Sequence, residues 1–292
     1  MERGFLKLDQ PLRCRGWVLA FARPCSERGR QTWWAAPLLQ WLNVHETFDQ
    51  VPVTALQQVS NDIISCARCR RLREYCQRVA REKKAAHRDE LYWGRPVPGF
   101  GDPQARLLIL GLAPAAHGAN RTGRVFTGDG IGASGDFLMA ALNRAGFANI
   151  STSRHPHDGL ELRDCYIAAT VRCAPPENKP LPEEIAACAD HLDAEVAALP
   201  HLKVVVALGK IAWDAWFRHL ARQGMIVRPR PEFGHGERFD YDRTLIGCFH
   251  PSRQNTNTGK VTPGMYDEVF ARARKAGGAG RAGKPAGADK VR

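Results

Sequence analysis

The sequence predicts an α/β fold, a largely parallel β-sheet with helices on both faces. Three observations carry it. Four short runs are almost continuously apolar, at residues 105–110, 165–171, 203–208 and 244–249. Strands buried on both faces read this way, whereas half-exposed strands alternate. The stretches between them have helical character, and strands alternating with helices build parallel sheets. A polar, chemistry-bearing cluster follows each run. In an open parallel sheet those strand ends share one edge, where such folds bind ligands.

The elements follow in order. Residues 1–54 show no clear periodicity and read as an N-terminal extension, with Trp17, Trp33, Trp34, Trp41, Cys14 and Cys25 among Arg and Pro. Residues 55–276 form the folded domain. In it, residues 56–84 read as one helix, because Leu56, Ile63, Ile64, Leu72, Val79 and Ala80 recur at near-helical spacing. Residues 92–103 are a loop by their Gly and Pro content. The first strand, 105–110, leads into a long Gly-rich loop over 111–130. A helix follows at 136–145, then the strand 165–171, which ends in Arg172-Cys173-Ala174-Pro175-Pro176-Glu177-Asn178-Lys179. Residues 182–199 read as one helix opened by Pro and Glu. The strand 203–208 ends in Gly209-Lys210, and a helix covers 211–220. The strand 244–249 ends in His250-Pro251-Ser252 and a polar run to Lys260, before a closing helix at 266–275. Residues 277–292 are Gly, Ala, Lys and Arg, a basic tail with too little apolar content to fold.

Composition narrows the function classes. A chain of 292 residues with 44% apolar content suits one water-soluble domain with extensions. No apolar run approaches the roughly 20 residues needed to span a bilayer. The apolar segment at 16–22 is short and is followed at once by Arg23-Pro24-Cys25, so secretion is not expected and a cytoplasmic, nucleoid-associated location is. The formal net charge of +12 favours a polyanionic partner. Nine cysteines, an odd number without an export signal, point to metal binding or buried thiols rather than to disulfides.

Two loops hold the candidate chemistry. Loop 111–130 offers Gly backbone for close approach to a ligand, Phe126 as a flat surface, Arg121 and Arg124 for phosphate, and Asp129 for acid–base or electrostatic work. His250, at a strand end, can donate a hydrogen bond to an anionic leaving group. Cys66 and Cys69 form a C-x-x-C. Cys173 and Cys188 form a second pair across a Pro-rich loop. Four thiolates suffice for an iron–sulfur cluster or a structural zinc. Cys76, Cys165 and Cys248 fit no such pattern, and the last two read as buried core thiols.

With these pieces placed, the chain resembles the uracil-DNA glycosylase superfamily, and within it the type-5, or B-type, group. The matching motifs are Gly111-Leu112-Ala113-Pro114 with 121–129, Cys173-Ala174-Pro175-Pro176-Glu177-Asn178-Lys179, and His250-Pro251-Ser252 with 257–262. The run from Tyr92 to Asp102 also matches, and the resemblance covers residues 60–274. It implies a three-layer α/β/α fold around a parallel four-stranded sheet. It implies hydrolysis of the N-glycosidic bond of uracil, flipped out of DNA, as a step of base excision repair by a monomer. It implies a structural [4Fe–4S] cluster on Cys66, Cys69, Cys173 and Cys188. The expected catalytic residues are Asp129 and His250. Gly111, Ala113, Phe126, Asn120 and Asn178 are the expected base-binding residues. Arg121, Arg124, Arg253 and Lys260 are the expected phosphate contacts, and His117 is a further candidate for base or phosphate.

The chain departs from better-known branches at three places. Ala113 stands where many relatives carry an Asp, Asn or Glu that positions water, and Ala169 where a related branch has a base-reading Asn. An apolar floor rejects wrong bases poorly, so a range of deaminated bases is expected. After His250-Pro251-Ser252, Gln254 and Asn255 occupy the region of the usual apolar wedge. The other readings are an A-type, uracil-restricted glycosylase, a non-catalytic metal-stabilised nucleic-acid-binding protein, and an iron–sulfur redox protein. The redox reading leaves Phe126, Asp129 and His250 unexplained.

Overall fold

A computed structural model describes residues 54–278, so the predicted extension before residue 54 and the tail beyond residue 278 lie outside the described residues. The strands are β1 (Phe100–Gly101), β2 (Leu107–Gly111), β3 (Cys165–Ala169), β4 (Val204–Leu208), β5 (Arg238–Asp240) and β6 (Thr244–Cys248). Four of them occupy the predicted apolar runs. Every residue of β2, β3 and β4 is buried, as strands covered on both faces require. The sheet order is β1-β3-β2-β4-β6-β5. Neighbours among β3, β2, β4 and β6 pair in parallel, with Gly111 beside Ala169 and Leu208 beside Cys248.

The expected four-stranded sheet is corrected to a mixed sheet of six. β1 and β5 add antiparallel margins. Neither has an apolar run to betray it. β1 is two residues long, and β5 reads Arg-Phe-Asp with both charged residues exposed. Short, charged strands are how sheets end without inviting further pairing.

The helices are α1 (Ala55–Ser65), α2 (Arg70–Glu82), α3 (Ala119–Thr122), α4 (Ser134–Arg144), α5 (Pro182–Ala187), α6 (Ala189–Ala197), α7 (Lys210–Arg222), α8 (Arg253–Asn257) and α9 (Pro263–Ala276). Strand alternation sends Leu107, Ile109, Ile167 and Val206 to one face, under Leu138 and Leu142 of α4 and Phe270 of α9. Leu108, Leu110, Ala168 and Val205 face the other way, against Leu192 of α6 and Trp213 and Trp216 of α7. Each such fully buried side chain contributes about 1.5–3 kcal/mol. Among the described residues no helix is long and apolar enough to cross a membrane.

Two predicted helices are each broken in two, both at cysteines. The chain is extended at Cys66 and again at Cys69, so α1 stops and α2 starts around the C-x-x-C. Cys188 closes α5 and opens α6. No Gly or Pro marks either break. The cause is tertiary: Leu72, Cys76, Val171, Cys173, Ala174 and Cys188 form a third, separate core, and the breaks turn the chain so that thiols enter it.

Candidate active site

A cavity of about 700 Å³ opens at the C-terminal edge of the sheet, beyond the ends of β2, β3 and β6. Gly111, Ala113 and Ala169 supply an apolar lining, with Phe126, Asp129 and His250 around them. Asn178 and Arg253 are exposed residues of the same cavity. Seven of the residues predicted from sequence to act on base, bond or phosphate therefore share one cavity: Gly111, Ala113, Phe126, Asp129, Asn178, His250 and Arg253.

Phe126 is held from three sides. Its backbone is left-handed, at φ 52°, a strained conformation for a bulky residue. A Cβ on Gly111 would stand 3.0 Å from its ring, and one on Gly135 would stand 2.2 Å from its carbonyl oxygen. Those two glycines let the end of β2 and the start of α4 close on Phe126. The ring then stacks on His250, with centroids 5.9 Å apart and planes 30° apart.

Asp129 lies against the backbone of Gly118, where a Cβ would meet its Oδ1 at 1.7 Å. It keeps only a partial opening to solvent. Desolvation pushes its carboxyl up to about 6, with Asp136 adding to the rise and Arg121 and Arg253 opposing it. The group is thus mostly ionised at neutral pH while poorly hydrated, the state a catalytic carboxylate needs.

His250 follows β6. The Asn255 side-chain amide donates to its carbonyl at 2.8 Å, and Tyr266 donates to the neighbouring Phe249 carbonyl at 2.8 Å. Ser252 caps α8 by accepting from the Asn255 N–H. Gln254 and Asn255, in the wedge region, therefore belong to a short capped helix in which Asn255 steadies His250. Burial drives the imidazole down to about 4, so it is neutral at pH 7. A neutral ring is an N–H donor that adds no full charge.

Three predicted contacts are corrected. Arg121 is buried; it donates to the carbonyls of His117 and Gly128 and pairs with Glu90. Arg124 is buried too; it forks onto both oxygens of Asp158 at 2.9 Å and bonds Thr127 and Ser153. Burial works against Asp158, but Arg124 and three backbone N–H groups more than offset it and hold that carboxyl down at about 2. Both guanidiniums are taken up by protein partners and brace loop 111–130 from within. Asn120 is fully buried, and its amide donates to the carbonyls of Cys76 and Ala116 at 3.3 Å, tying α3 to α2 rather than meeting a base.

Basic side chains come from elsewhere. Lys84 and His87, just beyond α2, line the cavity with Arg253. Their signal is a basic run from Arg81 to Arg88, which straddles the end of the predicted helix. His117 also lines the cavity and hydrogen-bonds the Tyr92 hydroxyl at 3.0 Å. Lys260 is exposed outside the cavity, its ammonium over the Phe249 ring at 5.2 Å. Glu177 and Asn178 are both left-handed, φ 53° and 58°, in the turn that follows Cys173.

Cys66, Cys69, Cys173 and Cys188 are all free thiols. They lie close enough to feel one another. Burial raises Cys69, and Cys173 and Cys66 raise it further. Burial pushes Cys188 up to about 12, with Cys173 and Cys69 adding and Arg172 opposing. Cys76, which fitted no pattern in the sequence, sits in the same core, and its thiol donates to the Ala174 carbonyl at 3.6 Å. Among the described residues no three His, Cys, Asp or Glu are gathered tightly enough to grip a single metal ion.

Residues 98–274 match the uracil DNA glycosylase superfamily. Similar proteins include a type-5 uracil-DNA glycosylase of Mycobacterium tuberculosis, 49% identical over 222 residues, spanning 75% of this chain and 81% of the relative. One of the same name from Thermus thermophilus is 47% identical over 218 residues, spanning 74% and 95%. A type-4 uracil-DNA glycosylase of Archaeoglobus fulgidus is 30% identical over 158 residues, spanning 53% and 70%.

Proposed function

Because the chain belongs to the uracil DNA glycosylase superfamily, we propose that it excises uracil from DNA, leaving an abasic site for base excision repair. The type-5 relatives match more of the chain at higher identity than the type-4 relative, which favours the B-type reading over the A-type one. The carrying observation is the stack of Phe126 on neutral His250 with the Asp129 carboxylate in the same cavity. A largely apolar cavity with room for a base and part of its strand, offering an aromatic face, a neutral donor and a poorly hydrated carboxylate, suits a flipped base.

The chemistry follows from those groups. Phe126 takes the face of the flipped base. As the N-glycosidic bond breaks, its electron pair goes to the base and positive charge grows on the sugar. His250 donates a hydrogen bond to the departing anion, worth about 3 kcal/mol for one well-placed donor. Asp129 orients a water toward the sugar carbon, takes its proton and offsets the developing positive charge. Asn178 reaches the same space from the Cys173 loop and assists in holding base or water. Gly111, Ala113 and Ala169 offer no side-chain polar group with which to refuse another base, so other deaminated bases are accepted too.

The enzyme acts as a monomer. Lys84, Arg253 and Lys260 are the proposed phosphate contacts. The cysteine set fits a [4Fe–4S] cluster: three free thiols at two chain breaks and Cys173 from the loop after β3 influence one another, and the thiolates of a many-atom cluster stand farther apart than those around one ion. Cys66, Cys69, Cys173 and Cys188 would hold it. When bound it supplies a cross-link between the α1–α2 break and the loop that carries Asn178.

The test uses duplexes carrying uracil, hypoxanthine, xanthine or a thymine mismatch, treated with alkali to cut abasic sites. Wild type should cleave uracil and at least one other base. Asp129→Ala and His250→Ala should each lose at least about 100-fold in single-turnover rate. Near-normal rates in both variants would remove the proposed roles.

A further inference from the structure

Arg172 lies just beyond β3 and immediately before Cys173, and its side chain is 1% exposed. Only one of its side-chain nitrogens has a protein partner among the described residues. Nη2 donates to Glu195 Oε2 at 2.6 Å. The other Glu195 oxygen is taken up by the Gly99 N–H at 2.9 Å and the Tyr166 hydroxyl at 3.3 Å. Arg172 Nε and Nη1 are buried with no partner among the described residues, and His191 Nε2 is in the same condition. Buried donors left unpaired are rare, and a group of them on a buried cation calls for an acceptor that protein atoms do not provide.

Their position says which acceptor. The Arg172 backbone N–H donates to Cys188 Sγ at 3.3 Å. Cys188, His191 and Glu195 fall at helical spacing along the start and face of α6, so the salt bridge to Glu195 aligns the guanidinium with the side of the helix that carries Cys188. Both Arg172 and Cys173 belong to one loop segment, and Cys188 neighbours that loop. The orphaned donors thus belong to the loop that carries Cys173 and to the helix that Cys188 opens. Arg73, half-buried and donating to the Gly94 carbonyl, stands by Cys173. Four thiolates leave a bound cluster net negative, and a negative group buried in this core needs donors and a cation.

We propose that Arg172 and His191 are positioning residues for the cysteine-held cluster, their unpaired N–H groups donating to its sulfur atoms. This rests on the reading that Cys66, Cys69, Cys173 and Cys188 hold a [4Fe–4S] cluster. Neither residue lines the base cavity, so neither is a catalytic residue. Hydrogen bonds to sulfur and nearby positive charge raise a cluster's reduction potential and protect it from loss. Glu195 orients Arg172, and Gly99 and Tyr166 orient Glu195, which links the entry segment before β1 to the cluster.

The test uses the full chain, reconstituted anaerobically with iron and sulfide, in wild type, Arg172→Lys and His191→Leu. Lysine keeps a cation for Glu195 but lacks the Nε and Nη1 donors. Leucine removes the His191 donor without touching the Glu195 pair. The readouts are the absorbance near 400 nm, its rate of bleaching in EDTA, the midpoint potential, and far-UV circular dichroism for the fold. The expected result is a folded Arg172→Lys chain whose cluster bleaches about tenfold faster and titrates at a more negative potential, with a smaller change of the same sign in His191→Leu. A double variant, Arg172→Met with Glu195→Gln, removes the pair together and should bleach fastest. Wild-type bleaching and potential in both single variants would overturn the proposal while leaving the cluster reading intact. A wild-type chain that never acquires the band would remove both.

Discussion

Gly118→Ala should disable the site without replacing a single reactive group. The added Cβ would sit 1.7 Å from Asp129 Oδ1, and ordinary contact begins at 3.4 Å, so the carboxylate must retreat by the difference, about 1.7 Å. The backbone cannot share the move easily, because Gly118 N–H bonds the Ala115 carbonyl while its own carbonyl accepts from Arg121 and Thr122. A displacement of about 1 Å at a reacting group can cost about 100-fold. The expected single-turnover rate on uracil duplex is therefore at least about 100-fold down, equal within a few-fold to Asp129→Asn. Affinity for a duplex carrying an abasic analogue should stay within a few-fold of wild type, because neither Lys84 nor Arg253 moves. Rapid-quench kinetics and fluorescence anisotropy measure the two quantities. A Gly118→Ala enzyme that is folded and as fast as wild type would refute the assignment of Asp129 to the reaction.

The same geometry yields further expectations. Gly111→Ala places a methyl 3.0 Å from the Phe126 ring, which is pinned by Gly135 and His250, so the rate should fall about tenfold with duplex affinity nearly unchanged. Lys84→Gln and Arg253→Gln should each flatten the plot of log affinity against log salt by about 0.9. Arg124→Gln should leave that slope alone and instead destabilise the fold by about 3–5 kcal/mol, because it strands the Asp158 carboxylate; chemical denaturation and salt titration separate the cases. Cys173→Ser should abolish the band near 400 nm, and losing a cross-link worth about 2 kcal/mol should lower the melting temperature by about 5 °C.

The fold was legible wherever burial on two faces left an unbroken apolar run, which is why β2, β3, β4 and β6 could be read directly. β1 and β5 could not, since two or three half-exposed residues leave no pattern. The breaks at Cys66–Cys69 and Cys188 were invisible for a different reason. Local sequence there favours helix, and only the distant packing of Cys173 and Leu72 overrides it. The site divides the same way. Phe126, Asp129, His250 and Asn178 sit at strand ends and in the loops beyond them, so the parallel topology alone gathers them. Arg121, Arg124 and Asn120 share those loops, yet turn inward. Nothing in a linear sequence separates an arginine that meets phosphate from one that meets its own backbone carbonyls. Arg172 carries the sharpest form of this problem: its meaning lies in two nitrogens that have no partner.

Arg121 and Arg253 were read as two equivalent DNA contacts, and the structure gives them unequal places around one carboxylate. Both pull the Asp129 carboxyl down against its desolvation. Arg121 does so from inside, committed to the His117 and Gly128 carbonyls. Arg253 does so from the exposed rim. A phosphate that binds Arg253 brings negative charge toward Asp129 and uses up part of that cation's field, while the docked duplex removes more water. Each change favours the protonated carboxyl. The acid limb for free enzyme should thus fall near pH 6, since activity needs the ionised form and is lost as pH drops through that value. In the enzyme–DNA complex the limb should lie higher. The profile of kcat/KM reports the first and that of kcat the second, so the two should separate, with kcat falling at the higher pH. Arg253→Gln should raise the limb in kcat/KM and narrow the gap. Coincident limbs in wild type, unmoved by Arg253→Gln, would mean that Asp129 does not feel Arg253 and that the carboxyl in control of the rate is another.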